Sequence, residues 1–172
     1  MNVIEAINAR QSIRAYLQKE IEPEKLNIIL SAANRAPSAG NLQSYQIYVV
    51  KNQAVKEKLV EAAAGQKFVA QAPVILVFCA VPERAKSKFG EKGEKVYAMQ
   101  DACAAVCNAM LAAVEVGLGT CWVDAVFEDI AAKAINAREG HKPVVLLTVG
   151  YPAENPPKTP RRELSDLVIE VP

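Results

Sequence analysis

Residues 96–122 read VYAMQDACAAVCNAMLAAVEVGLGTCW. The run from Val96 to Val116 is apolar almost all round, which is the mark of a helix packed inside a protein rather than laid on its surface. Gln100, Asp101, Asn108 and Glu115 interrupt it, and polar groups at that density make a bilayer crossing expensive. Gly117-Leu118-Gly119 ends it, and Thr120 to Val126 is expected to be extended.

Outward from this helix, strand and helix signals alternate. Asn2 can cap a short helix bearing Val3, Ile4 and Ile7. Pro23 opens a second helix, with Leu26, Ile29, Leu30 and Ala33 at helical spacing, which ends in the turn formers of residues 36–41. Tyr45 to Val50 reads as a strand, and a helix follows from about Gln53 to Gly65. Val74 to Val81, between two prolines, reads as a central strand buried on both faces. Residues 82–95 are dense in Lys, Arg and Glu with two glycines, and are expected to be an exposed, mobile segment. Phe127 to Asn136 should be a short helix, and Val144 to Val149 another buried strand. Residues 152–160 hold four prolines and cannot be regular, and Leu167 to Val171 is expected to be a last strand. With 172 residues and no repeat or linker, the chain is expected to be one domain, 1–172. Taken alone, the alternation points to a parallel α/β sheet.

The composition excludes several functions. The net charge of +1 lacks the cationic surplus of a sequence-independent nucleic-acid binder. Four cysteines and no basic-then-apolar leader point to a soluble protein of a reducing cytoplasm, with no membrane partner. No phosphate-loop or nucleophile-elbow motif is present. The single histidine, His141, lies in a loop expected to be solvated. Cys103 and Cys107 share a helix face without further ligands at metal spacing, so no metal is expected.

Three segments remain. Arg10-Gln11-Ser12-Ile13-Arg14 can grip a phosphate with two planar guanidinium forks and a hydroxyl, or form a solvated basic turn. Pro37-Ser38-Ala39-Gly40-Asn41-Leu42-Gln43 allows a ligand to approach its backbone and offers two amides, or is merely a helix-to-strand turn. Lys158-Thr159-Pro160-Arg161-Arg162 sets three cations on a stiffened loop, or is a solvated tail.

In their order along the chain, these segments resemble the FMN-dependent nitroreductase family. The matching stretches are residues 10–14, the turn of residues 36–43, Asp101-Ala102 with Gly117-Leu118-Gly119-Thr120-Cys121-Trp122, and Gly150-Tyr151-Pro152 with Pro160-Arg161-Arg162. Gln11 replaces a basic residue of the pattern, Ser44-Tyr45 stands where Pro-Trp is common, and the chain is short for the family.

The resemblance implies an α+β fold in place of the parallel sheet. Helices would flank a central mixed, mostly antiparallel sheet, and the C-terminal strand would be exchanged in a homodimer that holds FMN at its interface. Carried over by residue, Arg10, Ser12 and Arg161 look like phosphate ligands, with Arg162 or Lys158 helping and Gln11 beside them. Arg14 would serve the ribityl chain or pyrimidine. Pro37, Ser38, Ala39, Asn41 and Gln43 would line the flavin from the other subunit, and Gly119, Thr120 and Cys121 would pass backbone groups near the ring. The implied activity is oxidation of NADH or NADPH and reduction of a small acceptor of nitroaromatic, quinone or enone type. It proceeds by ping-pong hydride transfer through the flavin N5, with no side chain as catalyst. The alternative is a flavin-binding protein without turnover.

Overall fold

A computed structural model describes residues 1–171. Helix α1 spans Val3–Ala9 and opens on a reciprocal cap. The Glu5 amide donates to Asn2 Oδ1, and the Asn2 amide donates to Glu5 Oε2, both at 2.9 Å. Helix α2 (Pro23–Asn34) starts on its proline as the sequence predicts. Strand β1 (Tyr45–Val50) precedes α3 (Gln53–Ala62) and the single turn α4 (Phe68–Gln71). Strand β2 (Val74–Ala80) is buried at every position. Helix α5 (Pro82–Lys92) runs through a wide π-helical turn, Gly93–Tyr97, into α6 (Ala98–Glu115). Strand β3 (Gly119–Asp124), helix α7 (Glu128–Ala134) and strand β4 (Lys142–Gly150) complete the regular structure apart from isolated short turns.

The sheet order is β1-β2-β4-β3, and every neighbouring pair is antiparallel. The parallel arrangement expected from alternation is therefore wrong, and the resemblance gave the right class. Alternation does not reveal where a connection re-enters a sheet. Here Val50 pairs with Ile75, and Asp124 with Val145, so the α3–α4 and α7 excursions return beside the strand they left, whereas α5 and α6 carry the chain from β2 past β4 to β3. A lone parallel bridge joins Ser12 to Thr120.

Period-2 alternation along β2 builds two cores. Leu76 and Phe78 face α2 and α6, whereas Ile75, Val77 and Cys79 face α3 and α7. Helix α6 ends in a Schellman cap. The Gly117 amide donates to Val114 O (3.0 Å) and the Leu118 amide to Ala113 O (2.8 Å), with Gly117 at φ +75°.

Three further expectations change. Residues 82–92 are helix, because Pro82 and Glu83 suit its first turn and Ala85 is buried beneath it. In α6 only one face is buried within the chain, through Ala102, Ala105, Ala109 and Ala113, while Met99 and Cys107 lie exposed. By length and composition alone, Pro82–Glu115 is the one helical stretch among the described residues that could cross a membrane, although part of it sits in the core. Finally, residues 167–171 form no strand. A terminal strand orders only on a free sheet edge, and within one chain none meets this tail.

Candidate functional site

The segment after α1 is extended and docks on β3. The Ile13 amide donates to Thr120 O at 2.9 Å, and Ile13 is buried against Gly119. A Cβ at Gly119 would lie 2.7 Å from Ile13 Cγ1, so glycine is what permits the approach. With Ile13 inward, its neighbours Ser12 and Arg14 turn away from the core. Beneath them, the buried Tyr16 hydroxyl donates to Ile13 O and meets Thr148 Oγ1, each at 2.6 Å. Burial holds this phenol far above its ordinary pKa, so it stays protonated.

The proline-rich loop is tied to the same segment. The Ala153 amide donates to Ala15 O and the Leu17 amide to Tyr151 O, both at 2.9 Å. Glu154 Oε1 accepts from the Arg14 and Ala15 amides. These bonds bring Lys158 and Arg161 opposite Arg10, Gln11, Ser12 and Arg14 across a cleft of about 740 Å³. No acidic side chain lines it, and among the described residues none of its four cations is in an ion pair. Such a cleft is an anion site by electrostatics. Arg162 does not line it; its guanidinium donates to Asp166 O at 3.4 Å.

A second, mainly apolar hollow of about 370 Å³ shares Arg10 and Ser12 and is walled by Cys107, Met110, Leu111 and Trp122. Behind it Cys121 is buried, and burial pushes its thiol up against the opposing pull of Arg14 and Ser12. Thr120 Oγ1 is buried without a hydrogen-bond partner.

The turn at residues 37–43 lies elsewhere. A tight 3-10 turn, Ala39–Asn41, carries Gly40 at φ +55° and Asn41 at +58°, with Gln43 at +44°. Ser38 Oγ accepts from the Gln43 amide (3.0 Å), and Gln43 Nε2 donates to Asn41 Oδ1 (2.7 Å). Two residues to which sequence reasoning gave no role at the site hold it. Asp101, on α6, accepts from the Ala39 amide at 2.8 Å and the Ser44 amide at 3.2 Å. Arg84 Nη1, on α5, donates to Gln43 O at 2.5 Å and Tyr45 O at 3.3 Å. A signal for Asp101 existed: it is the only charged residue between Val96 and Val114. Arg84 offered none among so many cations.

Within one chain the turn and the cleft share no lining residue. Asp101 and the Cys107–Leu111 stretch of α6 are about 9–15 Å apart along the helix axis. His141 tethers its own loop, with Tyr48 Oη and His141 Nδ1 2.8 Å apart.

The chain matches the family model described as "Nitroreductase family" over residues 7–69 and 60–151. It is 34% identical over 173 residues to the FMN reductase [NAD(P)H] of Bacillus subtilis, covering 92% of this chain and 69% of that protein. The solved structure of NfrA2 from B. megaterium superposes with a TM-score of 0.90 at 30% identity, covering 98% of this chain and 74% of that one. Nitroreductase A from Vibrio parahaemolyticus gives a TM-score of 0.89 at 26% identity, with coverages of 99% and 76%.

Proposed function

The chain belongs to the nitroreductase family, and from that premise we propose that it is an NAD(P)H-dependent flavin oxidoreductase whose cleft holds the phosphate of FMN. The observation that carries this is the convergence of Arg10, Ser12, Lys158 and Arg161 on one cleft without a carboxylate. A phosphate with close to two negative charges needs paired cations to leave water, and these cations are unspent.

Each residue then has a task. Arg10 and Arg161 clamp the phosphate as bidentate forks, with Lys158 as a point charge and the Ser12 hydroxyl as a neutral donor. Arg14 and Gln11 flank the more polar parts of the cofactor. Tyr16 and Thr148 keep the segment rigid from below. FMN held there would supply the redox chemistry: oxidation of NADH or NADPH and, in ping-pong order, reduction of a small acceptor of nitroaromatic, quinone or enone type. No side chain of this chain is needed as acid or base.

The chain works as a single domain, 1–172, in a homodimer. Apolar side chains stand exposed on α1 (Val3, Ile4, Ile7), on α6 (Met99) and along the tail (Leu164, Ile169), and a contact with a second copy would cover them. The tail pairs with the partner's sheet, and the partner's 37–43 turn closes each flavin site. Four free thiols suit a reducing cytoplasm.

The test is the visible spectrum of the purified protein, followed by anaerobic NADPH or NADH. A flavin spectrum that bleaches, from a species sedimenting as a dimer, is the expected result. A protein that takes up no FMN from excess cofactor would overturn the reading. One that binds FMN but never bleaches would be a flavin carrier instead.

A further inference from the structure

No residue from Pro37 to Gln43 is buried, so core packing does not dictate the shape of this turn. The shape is nevertheless an unfavourable one, with Asn41 and Gln43 in the left-handed region that L side chains rarely adopt. Two side chains from distant helices enforce it. Asp101 takes the amides at both ends of the turn, one on each carboxylate oxygen. Arg84 takes two carbonyls where the turn enters β1. Neither can do the other's work, because a carboxylate only accepts and a guanidinium only donates.

Asp101 is 3% exposed and forms no ion pair among the described residues. A buried carboxylate without a cation is a costly way to fill space, and an apolar residue would pack a helix start more cheaply. What the carboxylate achieves is positional. It pins the roots of a turn in which Gly40 and Asn41 are exposed.

We propose that Asp101 and Arg84 are positioning residues that hold the 38–43 turn in the shape that closes over the flavin of the neighbouring subunit. This rests on the proposed function, in which each site combines one subunit's cationic cleft with the other's turn. Neither residue touches the cofactor; each acts through the backbone of the turn.

The experiment uses the dimer and FMN itself. Asp101→Asn keeps the volume but sets an NH₂ against one of the two amides, so at least one charge-assisted bond is lost. FMN affinity should fall about tenfold or more. Arg84→Gln, at an exposed site, should lower it about threefold, as loss of a weaker contact would. The decisive species is a mixed dimer, isolated with two tags, of one Asp101→Asn and one Arg10→Ala subunit. One of its sites carries both lesions and the other carries neither, so it should bind one FMN with wild-type affinity. General loosening of the fold would restore no such site.

Wild-type affinity in the Asp101→Asn homodimer would overturn the proposal, as would a mixed dimer without a tight site. Where Asp101→Asn does not fold, Arg84→Gln takes its place in both the homodimer and the mixed dimer. Unchanged affinity in the first, or the lack of a tight site in the second, overturns the proposal in the same way. Failure of the underlying function looks different: the Arg10→Ala homodimer would keep its FMN, or the wild type would take none, and the proposal would fall with it.

Discussion

The cleft at residues 10–14 and 156–161 and the turn at residues 38–44 are both polar, yet their electrostatic accounts are opposite. The cleft is lined by four cations and no carboxylate, and none of those cations is in an ion pair among the described residues. In the turn, the Ala39, Gln43 and Ser44 amides and the Gln43 and Tyr45 carbonyls already have side-chain partners, so its charges are spent internally. On the function proposed above, the first region supplies binding energy and the second supplies shape. A group left unsatisfied is poised for a ligand, whereas a group already satisfied fixes geometry.

The strongest attempt to break this contrast is Arg10→Ala combined with Arg161→Ala. Each charge-assisted contact to a phosphate contributes about 1.5–3 kcal/mol, so FMN dissociation should rise about a hundredfold or more. Fluorescence titration of FMN reads this directly, and unchanged affinity would show that the cations serve another ligand. Gly119→Ala probes how the cleft is seated. Its new methyl would meet the branched Ile13 at 2.7–3.2 Å, which cannot simply swing aside. Overpacking of this kind costs about 1–3 kcal/mol, which lowers the melting temperature of a chain this size by roughly 2–10 °C in calorimetry. Because Ile13 lies between Ser12 and Arg14, FMN affinity should fall with it; retention of full affinity would mean that the segment is not held from below. The smallest effect is expected from Gly40→Ala. At φ +55° a side chain costs about 1–2 kcal/mol, while of its neighbours Lys88 Nζ (2.7 Å) can swing aside and the Phe89 ring (3.0 Å) must give by a few tenths of an ångström. FMN affinity should drop only a few-fold in titration, and a loss matching that of the double arginine variant would reverse the roles given to the two regions.

Several pieces were legible without coordinates. The Asn2 cap, Pro23 at a helix start, the fully buried β2 and the glycine at the end of α6 are local signals, and each appears where the residues place it. The cations of residues 10–14 and 158–161 were legible as phosphate-binding chemistry, and their common cleft was expected only through the family resemblance. Arg162 shows the limit, since its neighbour Arg161 enters the cleft while it turns toward Asp166. Residues 82–92 looked like a loop because charge dominates their composition, yet Ala85 against the core and the packing of α5 on the following turn make them helix.

The sequence by itself determined most of the elements that form, where most of them stop, and which chemistry is available, because capping, propensity and side-chain charge act within a few residues. Only the tertiary structure decided that the sheet is antiparallel, that Asp101 reaches back 57 and 62 residues to the turn it pins, and that Glu154 reaches 140 residues to the arginine segment. Those bonds depend on which groups the folded chain brings within about 3 Å of each other, a distance set by packing and not by spacing along the chain.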